Sequence, residues 1–91
     1  MDAGMVAAVV DAERRMFAVC AEALREARVA AGLTQLRLAE GSGVDTATIS
    51  SVERGARLRV RALTLTRLAE ALDVAPGALL VGDAKEDTDG R

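Results

Sequence analysis

Arg57, Arg59 and Arg61 alternate with other residues and follow, after a gap of four residues, the segment Thr46 to Val52, whose polar side chains are all short. A guanidinium group donates paired hydrogen bonds to phosphate or carboxylate oxygens. An arginine-rich run of this kind is commonly only a solvated loop. Its position beside a segment with a polar face favours contact with phosphate groups instead.

The residues needed for covalent or metal chemistry are largely missing from the sequence. It has no His, Trp or Tyr and one cysteine, Cys20. This excludes His-based metal sites, catalytic triads and disulfide frameworks. We therefore expect no enzyme, no metal and no cofactor. Cys20 lies in an apolar stretch, so we interpret it as a core residue in a reducing compartment.

The composition predicts a single all-α domain. The 91 residues are 51% hydrophobic but only 1% aromatic, with one proline, so the core must consist of aliphatic side chains and methionine. That composition is typical of helices and excludes a turn-rich β sandwich. A domain this small buries only ~60–70% of its unfolded surface, which favours additional stabilisation by a homodimer.

The charge is unevenly distributed along the chain. The formal net charge is −2, but residues 1–24 contribute −2, residues 25–67 contribute +4 and residues 68–91 contribute −4. A local positive field acts on a nearby anion even when distant acids balance the total, because screening is effective beyond ~8–10 Å. The acidic pI therefore does not exclude nucleic acid as a partner.

Neither a membrane span nor a secretory signal is indicated. The longest uncharged run, residues 74–82, has nine residues, whereas a membrane helix needs about 20. The apolar residues 5–10 follow only Asp2, with no basic residue before them. We expect a cytoplasmic protein with no membrane contact.

Apolar periodicity and capping residues predict five helices. The first covers residues 5–31, as one helix or as two with a break near Asp11, and ends at Gly32. The remaining predictions are a helix from Gln35 to about Glu40 capped by Thr34, a turn at 41–43, a helix from Thr46 to Arg54 capped by Asp45 and closed by Gly55, a loop at 56–61, a helix at 62–72, and a short helix from Pro76 to about Val81. The acidic residues 83–91 are expected to be disordered.

The second and third predicted helices, with their glycine-containing turn, form a helix-turn-helix unit. Ala39 is small where the helices cross, and Gly43 can adopt the positive φ that the turn needs. The inner face of the third helix is predicted to comprise Val44, Ile49 and Val52, and its outer face Thr46, Ala47, Ser50 and Ser51. The N-terminal end of that helix would then enter a DNA major groove.

Three segments in the same order resemble one family. They are residues 24–35 (LREARVAAGLTQ), residues 48–55 (TISSVERG), and the later LAEAL at 68–72 with Val74 and Leu79–Leu80. Together they resemble the phage-repressor-like helix-turn-helix regulators of the Cro/C1 or xenobiotic-response-element type. The resemblance implies a five-helix, lambda-repressor-like domain at residues 16–82 that binds double-stranded DNA as a dimer. Residues 1–15 would be a helical extension and residues 83–91 a disordered tail.

The resemblance also implies site residues. Gln35 would contact a phosphate and brace the third helix, Glu53 would be a structural acid tied to a backbone group or an arginine, and bases would be read from the third helix. The complete candidate DNA-binding set is Gln35, Thr46, Ala47, Thr48, Ser50, Ser51, Arg54, Arg57, Arg59 and Arg61.

The sequence departs from the family at three places. Gly41 replaces a longer polar residue, Asp45 places a carboxylate where Ser or Thr is usual, and residues 46–52 contain no Arg, Lys, Gln or Asn. This helix therefore lacks the long side chains that make bidentate hydrogen bonds to bases. We expect recognition to depend on thymine methyl groups, water-mediated contacts and DNA shape.

Two groups of residues have alternative interpretations. Arg25 and Arg28 either contact phosphates or form surface ion pairs with Glu22 and Glu26. The apolar residues Met5, Val6, Val9 and Val10 either form a dimer interface or fold back over the fifth helix.

Two functions compete at this point. The first is a dimeric transcriptional regulator, in the form of a repressor, acting on a near-palindromic operator. The second is an antitoxin or anti-regulator that mainly binds a protein partner and also binds its own promoter.

Overall fold

A computed structural model describes residues 15–81. Its elements are β1 (Met16–Ala18), α1 (Ala21–Ala30), α2 (Gln35–Ser42), α3 (Thr46–Glu53), β2 (Arg59–Arg61), α4 (Ala62–Leu72) and a 3-10 helix (Pro76–Leu79). The all-α class is confirmed. The described residues form four α-helices, and the predicted fifth helix is a short 3-10 helix.

The small antiparallel sheet of β1 and β2 was not predicted. Met16, Phe17 and Ala18 pair with Arg61, Val60 and Arg59 respectively. Residues 16–18 were assigned to the first helix and residues 59–61 to a loop, and both assignments are wrong. The tertiary pairing of Phe17 with the buried Val60 overrides the local helical pattern of the N-terminal segment.

The helix ends follow from capping chemistry. Thr34 and Asp45 cap α2 and α3 by accepting hydrogen bonds from the backbone N–H groups of Arg37 and Thr48. Gly32, Gly43 and Gly55 all have positive φ, as the predicted turns require. The predicted turn at 41–43 began too early, because α2 continues through Gly41 to Ser42. The buried Ser42 hydroxyl then accepts from the Val44 N–H at 3.1 Å and starts the turn.

One core joins all the elements. Its fully buried side chains come from α1 (Leu24), α2 (Leu38), α3 (Ile49 and Val52), β2 (Val60), α4 (Leu68) and the 3-10 helix (Leu79). Cys20, predicted to lie in the core, is only half-buried at the N-cap of α1, and its N–H donates to the Leu79 carbonyl. The proposed extension and acidic tail lie outside the described residues.

Candidate nucleic-acid interface

The α3 helix begins with a tightly fixed turn. Gly43 has φ +78°, and the Asp45 carboxylate accepts from the Thr48 N–H at 2.9 Å. Hydrogen bonding from the Thr48 hydroxyl and N–H, with a smaller contribution from the positive charge of Arg57, lowers the pKa of Asp45 below its ordinary value. The carboxylate is exposed and ionised at neutral pH. A negative charge therefore lies at the end of α3 that would approach DNA.

The two faces of α3 match the prediction. Val44, Ile49 and Val52 are buried. The opposite face carries the exposed Ala47 and the half-buried Thr46, Thr48, Ser50 and Ser51. Arg54 follows directly, and its guanidinium donates to the Ser50 hydroxyl at 3.4 Å. The accessible face is thus short and polar.

A hydrogen-bonded cluster at the C-terminal end of α3 fixes this helix to α1 and α2. Arg28 forms a bidentate ion pair with Glu53, at 2.7 and 3.0 Å, and also donates to the Leu33 carbonyl. Gln35 donates to the same carboxylate at 3.1 Å. The side chains of Arg28 and Glu53 are 14% and 5% exposed, so water screens the pair little. We call Arg28, Gln35 and Glu53 the clamp.

The clamp sets the ionisation of its members. Burial would raise the pKa of Glu53, but the hydrogen bonds from Arg28 and Gln35 outweigh burial and lower it below its ordinary value. The bond to Glu53 raises the pKa of Arg28. The expectation that Arg28 pairs with Glu22 or Glu26, or contacts phosphate, is wrong, because its guanidinium is occupied by Glu53. The position of Gln35 agrees with its implied bracing role.

The arginine-rich segment is attached to the end of α3. The backbone N–H groups of Ala56 and Arg57 both donate to the Ser51 carbonyl, at 2.9 and 3.0 Å. Arg59 and Arg61 then lie on β2 with exposed side chains, while Val60 between them is buried. Alternating residues of a strand point to opposite faces, so both arginines share the outward face of the sheet. The period-two pattern of residues 57–61 could have identified this strand from sequence.

The comparisons with known proteins agree with this geometry. A family model described as helix-turn-helix matches residues 24–79. The chain belongs to this helix-turn-helix family, of the Cro/C1 type. Helix-turn-helix domains of this type bind DNA and regulate transcription, so the chain is a DNA-binding transcriptional regulator. The family is generally non-enzymatic.

Two solved structures share the helix-turn-helix fold of this chain. The restriction-modification controller protein C.AhdI from Aeromonas hydrophila is 43% identical, with a TM-score of 0.61, over 66% of this chain and 89% of that chain. The hypothetical transcription factor NHTF from Neisseria is 25% identical, with a TM-score of 0.57, over 79% of this chain and 92% of that chain. No match is found among curated proteins.

Two features are absent from the part of the helix-turn-helix protein that the structure describes. Between residues 15 and 81, no group of three or more His, Cys, Asp or Glu side chains could hold a metal ion. None of the helices in that range has the length and hydropathy needed to cross a bilayer.

Proposed function

We propose that the protein is a sequence-specific transcriptional repressor that binds operator DNA as a homodimer. The α3 helix would lie in the major groove and present Thr46, Ala47 and Ser51 to base edges, with Thr48, Ser50 and Arg54 beside them. Gln35, Arg57, Arg59 and Arg61 would contact phosphates. The similarity to a restriction-modification controller protein supports a role in controlling gene expression.

The observation that carries the proposal is the attachment of a basic strand to the end of α3. Two hydrogen bonds to the Ser51 carbonyl hold the start of the segment 57–61 against the C-terminal end of α3. Arg61 is also the N-cap of α4, where a positive side chain is unfavourable for the helix dipole. A functional contact with an anion would explain an arginine there, because phosphate is attracted by both the guanidinium and the helix end.

Selection of binding sites from random duplex DNA tests the proposal. The full chain should enrich a near-palindromic sequence, because two α3 helices of a symmetric dimer read two half-sites about one helical turn apart. A chain in which Thr46 and Ser51 are both replaced by alanine should lose that enrichment while remaining folded. If the parent enriches no sequence, sequence-specific regulation is wrong and the antitoxin or anti-regulator alternative takes its place.

Asp45→Ser is expected to tighten DNA binding with little change in fold stability. Serine keeps an oxygen that can cap the Thr48 N–H, and the substitution removes the carboxylate that opposes approach to phosphates. Titration of duplex DNA at several salt concentrations would show the largest gain at low salt. Asp45→Asn, which keeps the shape of the side chain, serves as the matched control and should behave alike. Equal affinities for parent and variants would place this helix end away from DNA.

Ser51→Arg is expected to change which operators are preferred. A guanidinium on the outer face of α3 can donate two hydrogen bonds to guanine, which discriminates between bases by ~1–3 kcal/mol. The same site selection applied to the variant should gain a guanine at one position of each half-site. An unchanged preference in a folded variant would mean that Ser51 does not face the bases.

The full chain is expected to be a dimer, and a chain lacking residues 1–13 a monomer. The apolar residues at 5–10 lie outside the helix-turn-helix match, and an exposed apolar strip commonly marks an interface. Light scattering measures both masses. A monomeric full chain would contradict the dimer, and a truncated chain that stays dimeric would move the interface toward the 3-10 helix.

A further inference from the structure

The C-terminal end of the described chain lies beside β1, one strand away from the arginine-bearing strand β2. The Val81 N–H donates to the Ala18 carbonyl at 3.2 Å, and Ala18 is the register partner of Arg59. Neighbouring strands lie ~4.8 Å apart, so the Val81 backbone is about 10 Å from that of Arg59. Leu80 pairs antiparallel with Val19, so the chain runs toward the end of the sheet where Met16 pairs with Arg61.

The next residues carry charge opposite to that of the strand. Asp83, Glu86, Asp87 and Asp89 outnumber the two basic residues between 82 and 91. Between residues 15 and 81, the ion pairs are Arg28–Glu53 and Arg37–Glu40, so no carboxylate in that range pairs with Arg59 or Arg61. Ten residues can span ~33 Å, well beyond the distance from Val81 to β2.

We propose that the acidic segment, residues 83–89, binds the outward face of β2 through Arg59 and Arg61 and competes there with DNA phosphates. The inference rests on the proposed function, because it assigns regulation to the same arginines. A tethered segment has an effective concentration in the millimolar range, so a dissociation constant in the millimolar range is enough for it to occupy the strand. DNA must displace the segment, and the displacement weakens binding to any sequence.

A second copy of the chain is a poorer occupant of this strand. Antiparallel pairing of β2 with its own copy, centred on Val60, would place Arg59 opposite Arg61 of the copy. Like charges directly opposite each other destabilise a strand pair. Charge complementarity therefore selects the acidic segment.

Neutralising the segment tests the competition. The variant D83N/E86Q/D87N/D89N in the full chain should bind random duplex DNA roughly threefold to tenfold more tightly at low salt, the gain expected if the segment occupies the strand in about two thirds to nine tenths of the molecules. The gain should disappear at high salt. The control E22Q/E26Q/E70Q/D73N makes the same change in charge on α1 and at the C-terminal end of α4, and it should give a smaller gain. An equal gain in the control would overturn the contact.

A double-mutant cycle separates direct contact from overall charge. In an R59A/R61A background, neutralising the segment should leave DNA affinity unchanged, because its binding site is gone. A full gain in that background would show that the segment acts through net charge alone, and it would overturn the proposal.

A measurement without DNA distinguishes this inference from the proposed function. The Nε–Hε NMR signals of Arg59 and Arg61 should differ between the full chain and the neutralised variant, and the difference should vanish in high salt. Unchanged signals would overturn the contact whatever happens with DNA. Shifted signals together with an R59A/R61A variant of unchanged DNA affinity would support the contact and overturn both the competition and the role of β2 in binding DNA.

Discussion

Arg28→Ala is expected to destabilise the domain by about 3 kcal/mol, because it leaves the Glu53 carboxylate buried without its bidentate partner. Small domains have about 5–10 kcal/mol of stability in total. The variant should therefore unfold at a much lower urea concentration than the parent. Circular dichroism at the helix band during a urea titration would measure the loss.

Two controls isolate the clamp. Arg25→Ala removes an exposed arginine one turn away on α1 and should cost little. The double variant R28M/E53L replaces the pair by apolar side chains and should recover much of the stability lost in Arg28→Ala. A small loss in Arg28→Ala, equal to that of Arg25→Ala, would contradict a structural role for the pair.

The loss in Arg28→Ala should also depend on pH. In the parent, the pKa of Glu53 is lower in the folded state than in the unfolded state. Its contribution to stability is therefore present above the unfolded pKa and is lost as pH falls through the folded pKa. Without Arg28, burial raises the pKa of Glu53, so the variant instead gains stability as the carboxyl is protonated. The difference between parent and variant should be larger at neutral pH than at acidic pH.

Replacing Arg57, Arg59 and Arg61 together by alanine is expected to weaken binding to specific and random DNA alike. Each phosphate that an arginine neutralises contributes about −0.9 to the slope of log affinity against log salt. The salt dependence of the triple variant should therefore be weaker, with a slope smaller in magnitude by about 2.7. The side chains are exposed, and the triple variant should remain folded. Fluorescence anisotropy of labelled duplexes over a range of salt concentrations measures both quantities.

Single substitutions supply the comparison for the triple variant. Arg59→Ala and Arg25→Ala change the net charge equally, but only Arg59 lies on β2. Arg59→Ala should lower the slope by about 0.9, and Arg25→Ala should leave it nearly unchanged. A triple variant with the affinity and slope of the parent would make the strand a bystander in DNA binding.

The helix-turn-helix was predictable because its signals are local. The caps Thr34 and Asp45 and the turn at Gly43 each act within four residues. The spacing of Ile49 and Val52 gives the buried face of α3 directly. These features do not depend on distant parts of the chain.

The pairing of β1 with β2 and the ion pair of the clamp could not be predicted from the sequence, because each joins residues that are far apart in the chain. Phe17 pairs with Val60, and Arg28 with Glu53, across 43 and 25 residues. The nearby acids Glu22 and Glu26 lie six and two residues from Arg28 on its own helix, and side chains at these spacings do not face each other, so nearness in the sequence did not identify the partner. The resemblance implied that Glu53 is tied to a backbone group or an arginine, and the fold identifies that partner as Arg28.

The pairing of β1 with β2 has a consequence for how the chain folds. All of the helix-turn-helix lies between the two strands, so closing the sheet brings together segments more than 40 residues apart. Closing a long loop costs entropy that local contacts do not incur. We expect α1 to α4 to assemble first and β1 to dock last, so the final outward arrangement of Arg59 and Arg61 is reached late in folding.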